Sequence, residues 1–162
     1  AAGAASFKAI LFFTVYIFGI WIYSSSLKRL FWISNLFATL LAIIPFFAVT
    51  IYFKNFEAVV IYHASFLFLL ILIRDIVKDL QNYKGDWVHS YQTLPIVFGN
   101  LKTKIIVSAL IFLNSVPIFL LIQSHLGLMT YYFYFSIPYL LFVLVLLWIG
   151  STQKMYLWRL IK

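Results

Sequence analysis

Five long apolar runs, separated by short polar connectors, determine what this 162-residue chain can fold into. They cover residues 7–23, 30–53, 58–73, 105–122 and 131–149, each close to the length a helix needs to cross a hydrocarbon core. A membrane β-barrel would show alternation over ten-residue segments, which the runs lack, so the fold class read from them is all-α. The architecture expected is a polytopic transmembrane bundle with about five spans. Composition agrees: 65% of the residues are apolar and 10% charged, against about 45–50% and about 25% in soluble domains. Pro45, Pro117 and Pro138 lie inside runs, where a proline kinks a helix and neighbouring helices satisfy the carbonyl it frees. The absence of cysteine excludes disulfides, thiolate metal sites and thiol catalysis.

With five spans, alternate connectors share a side of the membrane. One side carries Lys28, Arg29, Arg74, Lys78, Lys84, Lys102, Lys104, Lys154, Arg159 and Lys162, and the other only Lys8 and Lys54. Ten basic residues against two assign the first side to the cytoplasm. The formal net charge of +8 is thereby explained without nucleic acid, which would require a soluble basic face. The membrane expected is a bacterial inner (cytoplasmic) membrane. The opening Ala-Ala-Gly-Ala-Ala-Ser lacks the charged lead of a signal peptide. With the amphipathic ending Leu-Trp-Arg-Leu-Ile-Lys, it suggests a single transmembrane domain that is an incomplete portion of a larger one.

Acids are scarce and clustered. Of four in the chain, Asp75, Asp79 and Asp86 fall within twelve positions, leaving Glu57 apart. At about 100° per residue, Asp75, Asp79, Asn82 and Asp86 share an arc of roughly 60° on a continuing helix, although Gly85 is a possible helix end. An oxygen-rich stripe at the cytoplasmic end of a span suits Mg²⁺, which commonly bridges a few carboxylates to substrate phosphates. Arg74, Lys78 and Lys84 interleave with the acids and are suited to contacting a diphosphate. The competing reading is a solvated connector whose charges pair at i,i+4. Against it stands the cost of an acid near hydrocarbon, about 2.5–3.5 kcal/mol at mid-bilayer and less at the interface.

The residues around the acids carry a resemblance. Arg74-Asp-Ile-Val-Lys-Asp, then Gly85-Asp86, then Thr93-Leu-Pro and Gly99 closely resemble the second aspartate-rich motif of the UbiA-type intramembrane prenyltransferases. Upstream, Tyr23-Ser-Ser-Ser-Leu-Lys-Arg29 followed by Ser34-Asn35 is similar to that family's Tyr…Leu-Lys-Arg…Gly-Asn segment, in the same order and separation. The resemblance implies a bundle of about nine transmembrane helices around a central cavity. It also implies Mg²⁺-dependent transfer of a prenyl group from a prenyl diphosphate to an aromatic or lipid acceptor. By the same resemblance Asp75, Asp79 and Asp86 hold Mg²⁺ and diphosphate, and Lys28 and Arg29 contact the phosphates. Arg74, Lys78 and Asn82 complete the candidate substrate-binding set.

Two departures keep a second reading open. The family's other aspartate-rich motif does not occur in these residues, so half of a metal site is missing and the segment alone is expected to be inactive. Asn82 stands where many relatives carry an aspartate, flanked by Gln81 and Lys84. The alternative is a catalytically degenerate or structural membrane subunit of a larger assembly. The expected partners are prenyl diphosphate, a hydrophobic acceptor, membrane lipid and, on the second reading, other membrane subunits. Nucleic acid is excluded. A transporter would instead show polar residues along a whole path. His63 and Asn114, inside the third and fourth runs, are expected to make interhelical hydrogen bonds. His89 falls in the connector after the acids and His125 in an extracytoplasmic one, and no two histidines have zinc spacing.

Overall fold

The computed structural model describes residues 2–25, 31, 33–124 and 126–149. It contains five helices: α1 (Ala2–Ser25), α2 (Ile33–Tyr52), α3 (Ala58–Val88), α4 (Leu94–Gln123) and α5 (Met129–Ile149). Four of them, α2 to α5, are long and apolar enough to cross a membrane, while the apolar stretch of α1, Ala9–Ser25, is shorter. The expected all-helical bundle is what forms. Consecutive helices pack in chain order, α1 on α2, α2 on α3, α3 on α4 and α4 on α5, with α3 and α4 sharing the most extensive interface.

Burial follows from the helical period. On α4 the fully or nearly buried Thr103, Val107, Ile111, Asn114, Pro117, Ile118 and Leu121 recur every three or four residues, one face of a helix. That face meets Phe66, Ile73 and Val77 of α3 and Phe133, Leu140 and Val143 of α5 to make the core. The opposite faces are apolar and open. Phe7, Val15 and Trp21 of α1 and Phe112 and Phe119 of α4 each expose more than half their surface, as expected where lipid chains complete the packing. Gly19 brings α1 close to α2, for a Cβ there would stand 3.2 Å from Leu41 Cδ2, the close approach that small residues permit between membrane helices.

Two helices run farther than the apolar runs indicate. The third run ends at residue 73, but α3 continues unbroken to Val88, through Gly85. Its 31 residues rise about 46 Å, against about 30 Å of hydrocarbon. A span that needs only part of this length carries its remaining turns beyond the apolar segment. In the fourth run α4 begins at Leu94, eleven residues before the expected 105. Thr93 is extended at the N-cap and Pro95 sits in the first turn, where its missing N–H has no helical partner to lose. Gly99 then breaks the helical path with φ 80° and ψ 162°, a conformation essentially reserved for glycine. The break in α4 therefore lies at Gly99, and the helix continues across Pro117.

Polar side chains in the apolar stretches mostly bond back into their own helices. Ser65, Ser108 and Ser124 each donate to the carbonyl four residues earlier. His63 does likewise, its Nδ1 hydrogen-bonding the Val59 carbonyl at 2.8 Å, with its ring edge-on to Phe133 of α5. Asn114 is fully buried, and neither amide atom has a partner among the described residues. The interhelical bonds expected of His63 and Asn114 are thus absent among the described residues. For His63 the reason is that a carbonyl of its own turn lies within reach.

Candidate functional site

The polar end of α3 meets the start of α2. Asp75 and Asp79 lie one turn apart and are each part-buried. Asn35, in the first turn of α2, donates from Nδ2 to Asp79 Oδ2 at 2.7 Å. Ser34 Oγ donates to Asn35 Oδ1 at 3.3 Å, and Thr39 Oγ1 donates to the Asn35 carbonyl at 2.8 Å. Ser34, Asn35 and Thr39 are all buried. A buried polar group without a partner costs about 1–3 kcal/mol. This cluster meets that requirement internally and spends its one outward donor on Asp79. The hydrogen bond of Asp79 therefore runs across a helix interface to a neutral amide, which is not the solvated i,i+4 pairing of a connector.

The other sequence candidates divide into three groups. Asp86 is part-buried and on the same unbroken helix, close enough for its charge to act on Asp79. Because α3 does not stop at Gly85, Asp75, Asp79, Asn82 and Asp86 do share one stripe, with Asn82 at its exposed edge. Arg74 and Lys78 are exposed, and lie about 60–100° round the helix from Asp75. Lys28 and Arg29 fall outside the described residues, as does His125. Tyr23, in the last turn of α1, lies within the field of both Asp75 and Asp79. Tyr23 and Asn35 of the upstream matched segment thus lie near the acids of the downstream one.

Arg74 and Lys78 belong to the rim of a groove of about 730 Å³ between α3 and α5. Its wall is apolar along Phe66, Leu70, Ile73 and Val77 of α3 and aromatic along Tyr132, Phe135 and Tyr139 of α5. Gln81 adds an amide at the same end as the two cations. On α3 the groove and the acid stripe are neighbouring faces, with Lys78 between them. The α5 contribution was not anticipated from the sequence, although Tyr132, Ser136 and Tyr139 stand at i, i+4 and i+7, the spacing of one helical face. The role of Asn35 was equally unassigned. Its signal in the sequence is the Ser34-Asn35 pair that closes the upstream segment resembling the family and opens an apolar helix.

Among the described residues no three histidine, aspartate or glutamate side chains converge on one metal position. That donor set does not suit a cation held by protein alone. It does suit Mg²⁺, which is ordinarily bound through one or two carboxylates together with substrate phosphates and water. Asp75 and Asp79, one turn apart and part-buried in the polar portion of α3, fit that description.

Spans with a polar mouth at one end and an apolar groove beside it define an integral membrane protein of the helical-bundle class. The sequence model of the UbiA prenyltransferase family matches residues 2–158, and the chain belongs to that family. Three similar curated proteins are each named digeranylgeranylglyceryl phosphate synthase. The Methanosphaera stadtmanae protein is 32% identical over 124 residues, covering 76% of this chain and 42% of its own. Those of Pyrococcus horikoshii and Pyrococcus furiosus are 37% and 36% identical over 67 residues, covering 41% of this chain and 24% of theirs. The chain therefore spans less than half the length of the relatives it matches. All three relatives are archaeal, so the similarities lend no support to the expected bacterial membrane. No solved structure matches the chain.

Proposed function

We propose that the protein containing this chain transfers a prenyl group, with Mg²⁺, from a prenyl diphosphate to a lipid acceptor at the membrane boundary. The observation that carries this reading is the juxtaposition of the acid pair Asp75 and Asp79, one oxygen of Asp79 already held by Asn35, with an apolar groove rimmed by Arg74 and Lys78. The positive bias of the connectors supports a cytoplasmic position for that end, where soluble and membrane-bound substrates meet.

In the reaction the allylic C–O bond breaks, with its electron pair leaving on the diphosphate. The acceptor oxygen or carbon forms a bond to the prenyl carbon and releases a proton. Mg²⁺ bound at Asp75 and Asp79, with Asp86 nearby, would neutralise charge on the departing diphosphate. Arg74, Lys78, Lys28 and Arg29 add cationic donors to the phosphates, and Asn82 adds an amide at the edge of the stripe. The groove holds the prenyl chain out of water. Its aromatic faces, Tyr132 and Tyr139 among them, are suited to a carbon that gains positive charge, each contact contributing about 0.5–2 kcal/mol.

Among acceptors, a glyceryl phosphate is the first choice, because the three relatives are named for a glyceryl phosphate product. Its hydroxyl is the nucleophile, and its phosphate adds a reason for the cationic rim. The test is transfer from radiolabelled prenyl diphosphate by the intact protein in detergent, with glyceryl phosphate lipids and aromatic acceptors in parallel. Activity dependent on Mg²⁺, lost with EDTA and reduced at least about 100-fold by Asp79→Ala, is expected. Absence of transfer across the panel, with Asp79→Ala changing nothing, would favour the structural-subunit reading that Asn82, Gln81 and Lys84 keep in view.

A further inference from the structure

Asn35 does not line the groove, and among the described residues the group with a chemical role that its side chain hydrogen-bonds is Asp79. Its surroundings are nonetheless specific. An ionised carboxylate only accepts hydrogen bonds, so the amide must turn its Nδ2 toward Asp79 and its Oδ1 away. The Oδ1 then needs a donor, and the Ser34 hydroxyl supplies it at 3.3 Å. The 2.7 Å bond from Asn35 engages Asp79 Oδ2, leaving Oδ1 as the oxygen available to a cation.

We propose that Asn35, oriented by Ser34, is a positioning residue that holds Asp79 by one oxygen so that the other is presented with Asp75 to a metal–diphosphate pair. The inference rests on the reading of these acids as the metal–diphosphate site. The chemistry explains why the donor is an amide. A lysine or arginine would also hold the carboxylate, but its charge would cancel the one the metal must meet. An amide fixes the carboxylate and leaves its charge intact. Hydrogen-bonded partners that orient a metal ligand typically change metal affinity about 10–100-fold when removed.

The experiment uses the intact protein in detergent with Mn²⁺ and inorganic pyrophosphate as the probe, free Mn²⁺ being read by electron paramagnetic resonance. Asn35→Leu keeps the side-chain volume and removes the bond, Asn35→Ala removes both, and Ser34→Ala removes only the orienting donor. The apparent Mn²⁺ Kd is expected to rise about 10-fold or more in both Asn35 variants and by less in Ser34→Ala. Excess Mg²⁺ should bring the kcat of Asn35→Leu back to within about threefold of the parent, an effect on metal loading that a packing defect would not show. In an Asp79→Asn background, Asn35→Leu should add less than about twofold, because the two residues act as one unit.

If the parent binds Mn²⁺ with pyrophosphate and folded Asn35→Leu binds it equally well, the positioning role is overturned while the proposed function stands. Failure of both Asn35 variants to fold also overturns it, since the pair would then be a structural tie between α2 and α3. If the parent itself shows no pyrophosphate-dependent Mn²⁺ binding, the metal–diphosphate reading fails, and this inference with it.

Discussion

Phe31 stands edge-on to Phe98, with ring centroids 5.2 Å apart and planes at 71°. Phe31 lies in the connector between α1 and α2, and Phe98 is the last residue of α4 before its break at Gly99. The contact therefore joins two chain segments on the side of the bundle where Asp79 lies. An edge-to-face pair contributes about 0.5–1.5 kcal/mol beyond area burial. Phe98→Ala is expected to lower stability by about that amount and, under the proposed function, to raise the KM for prenyl diphosphate about three- to tenfold, with a smaller change in kcat. Steady-state kinetics at saturating Mg²⁺ measure both.

Ser136 lines the groove between Tyr132 and Tyr139 on α5. A Trp at this position fills space that the proposal gives to the prenyl chain. Ser136→Trp is expected to reduce transfer at least about 10-fold while leaving pyrophosphate-dependent Mn²⁺ binding unchanged. Parallel loss of both would move the chain out of this groove.

The backbone at Gly99 has φ 80°, and an added Cβ would meet nothing within 4 Å. The penalty for a larger residue is therefore one of backbone conformation rather than of space, about 1–3 kcal/mol. Gly99→Ala should lower the thermal midpoint in detergent, and Gly99→Val should lower it further, because branching at Cβ narrows the allowed backbone range. An unchanged midpoint for both would show that α4 is regular through this position.

Asn114 is fully buried on the core face of α4 with both amide atoms unpaired among the described residues. Leucine has nearly the same shape and no polar atoms to satisfy. Asn114→Leu is expected to stabilise the bundle by about 1–2 kcal/mol, the cost of an unmade buried hydrogen bond. Reversible unfolding in mixed micelles measures it. A loss of stability would reveal a hydrogen-bonding partner for the amide in the intact protein.

What could be read from the sequence depended on how local the information was. The all-helical bundle was legible because hydropathy alone fixes it: a stretch such as 131–149 has no other way to satisfy its backbone in lipid. The acid stripe was also legible, since Asp75, Asp79 and Asp86 need only the helical period to fall together. The early start of α4 was missed because Gly99, Asn100, Lys102 and Lys104 interrupt the apolar run. Hydropathy reports solvent preference, and a helix can continue where that preference changes. The partnership of Asn35 with Asp79 was out of reach for a different reason. It joins positions 44 apart and depends on the register of two packed helices, which neither segment encodes alone.

The unbroken course of α3 to Val88 has a consequence for product size. Asp79 and Phe66 lie on this one helix, thirteen residues apart, a separation of about 20 Å. Under the proposed function, the diphosphate is fixed at one end of this ruler and the prenyl chain runs toward the other, where Phe66 meets Tyr132. Chain length then becomes a matter of where the ruler is blocked. A bulky side chain at Leu70, about one turn nearer the acids than Phe66, would shorten the usable length by about 6 Å without touching the chemistry.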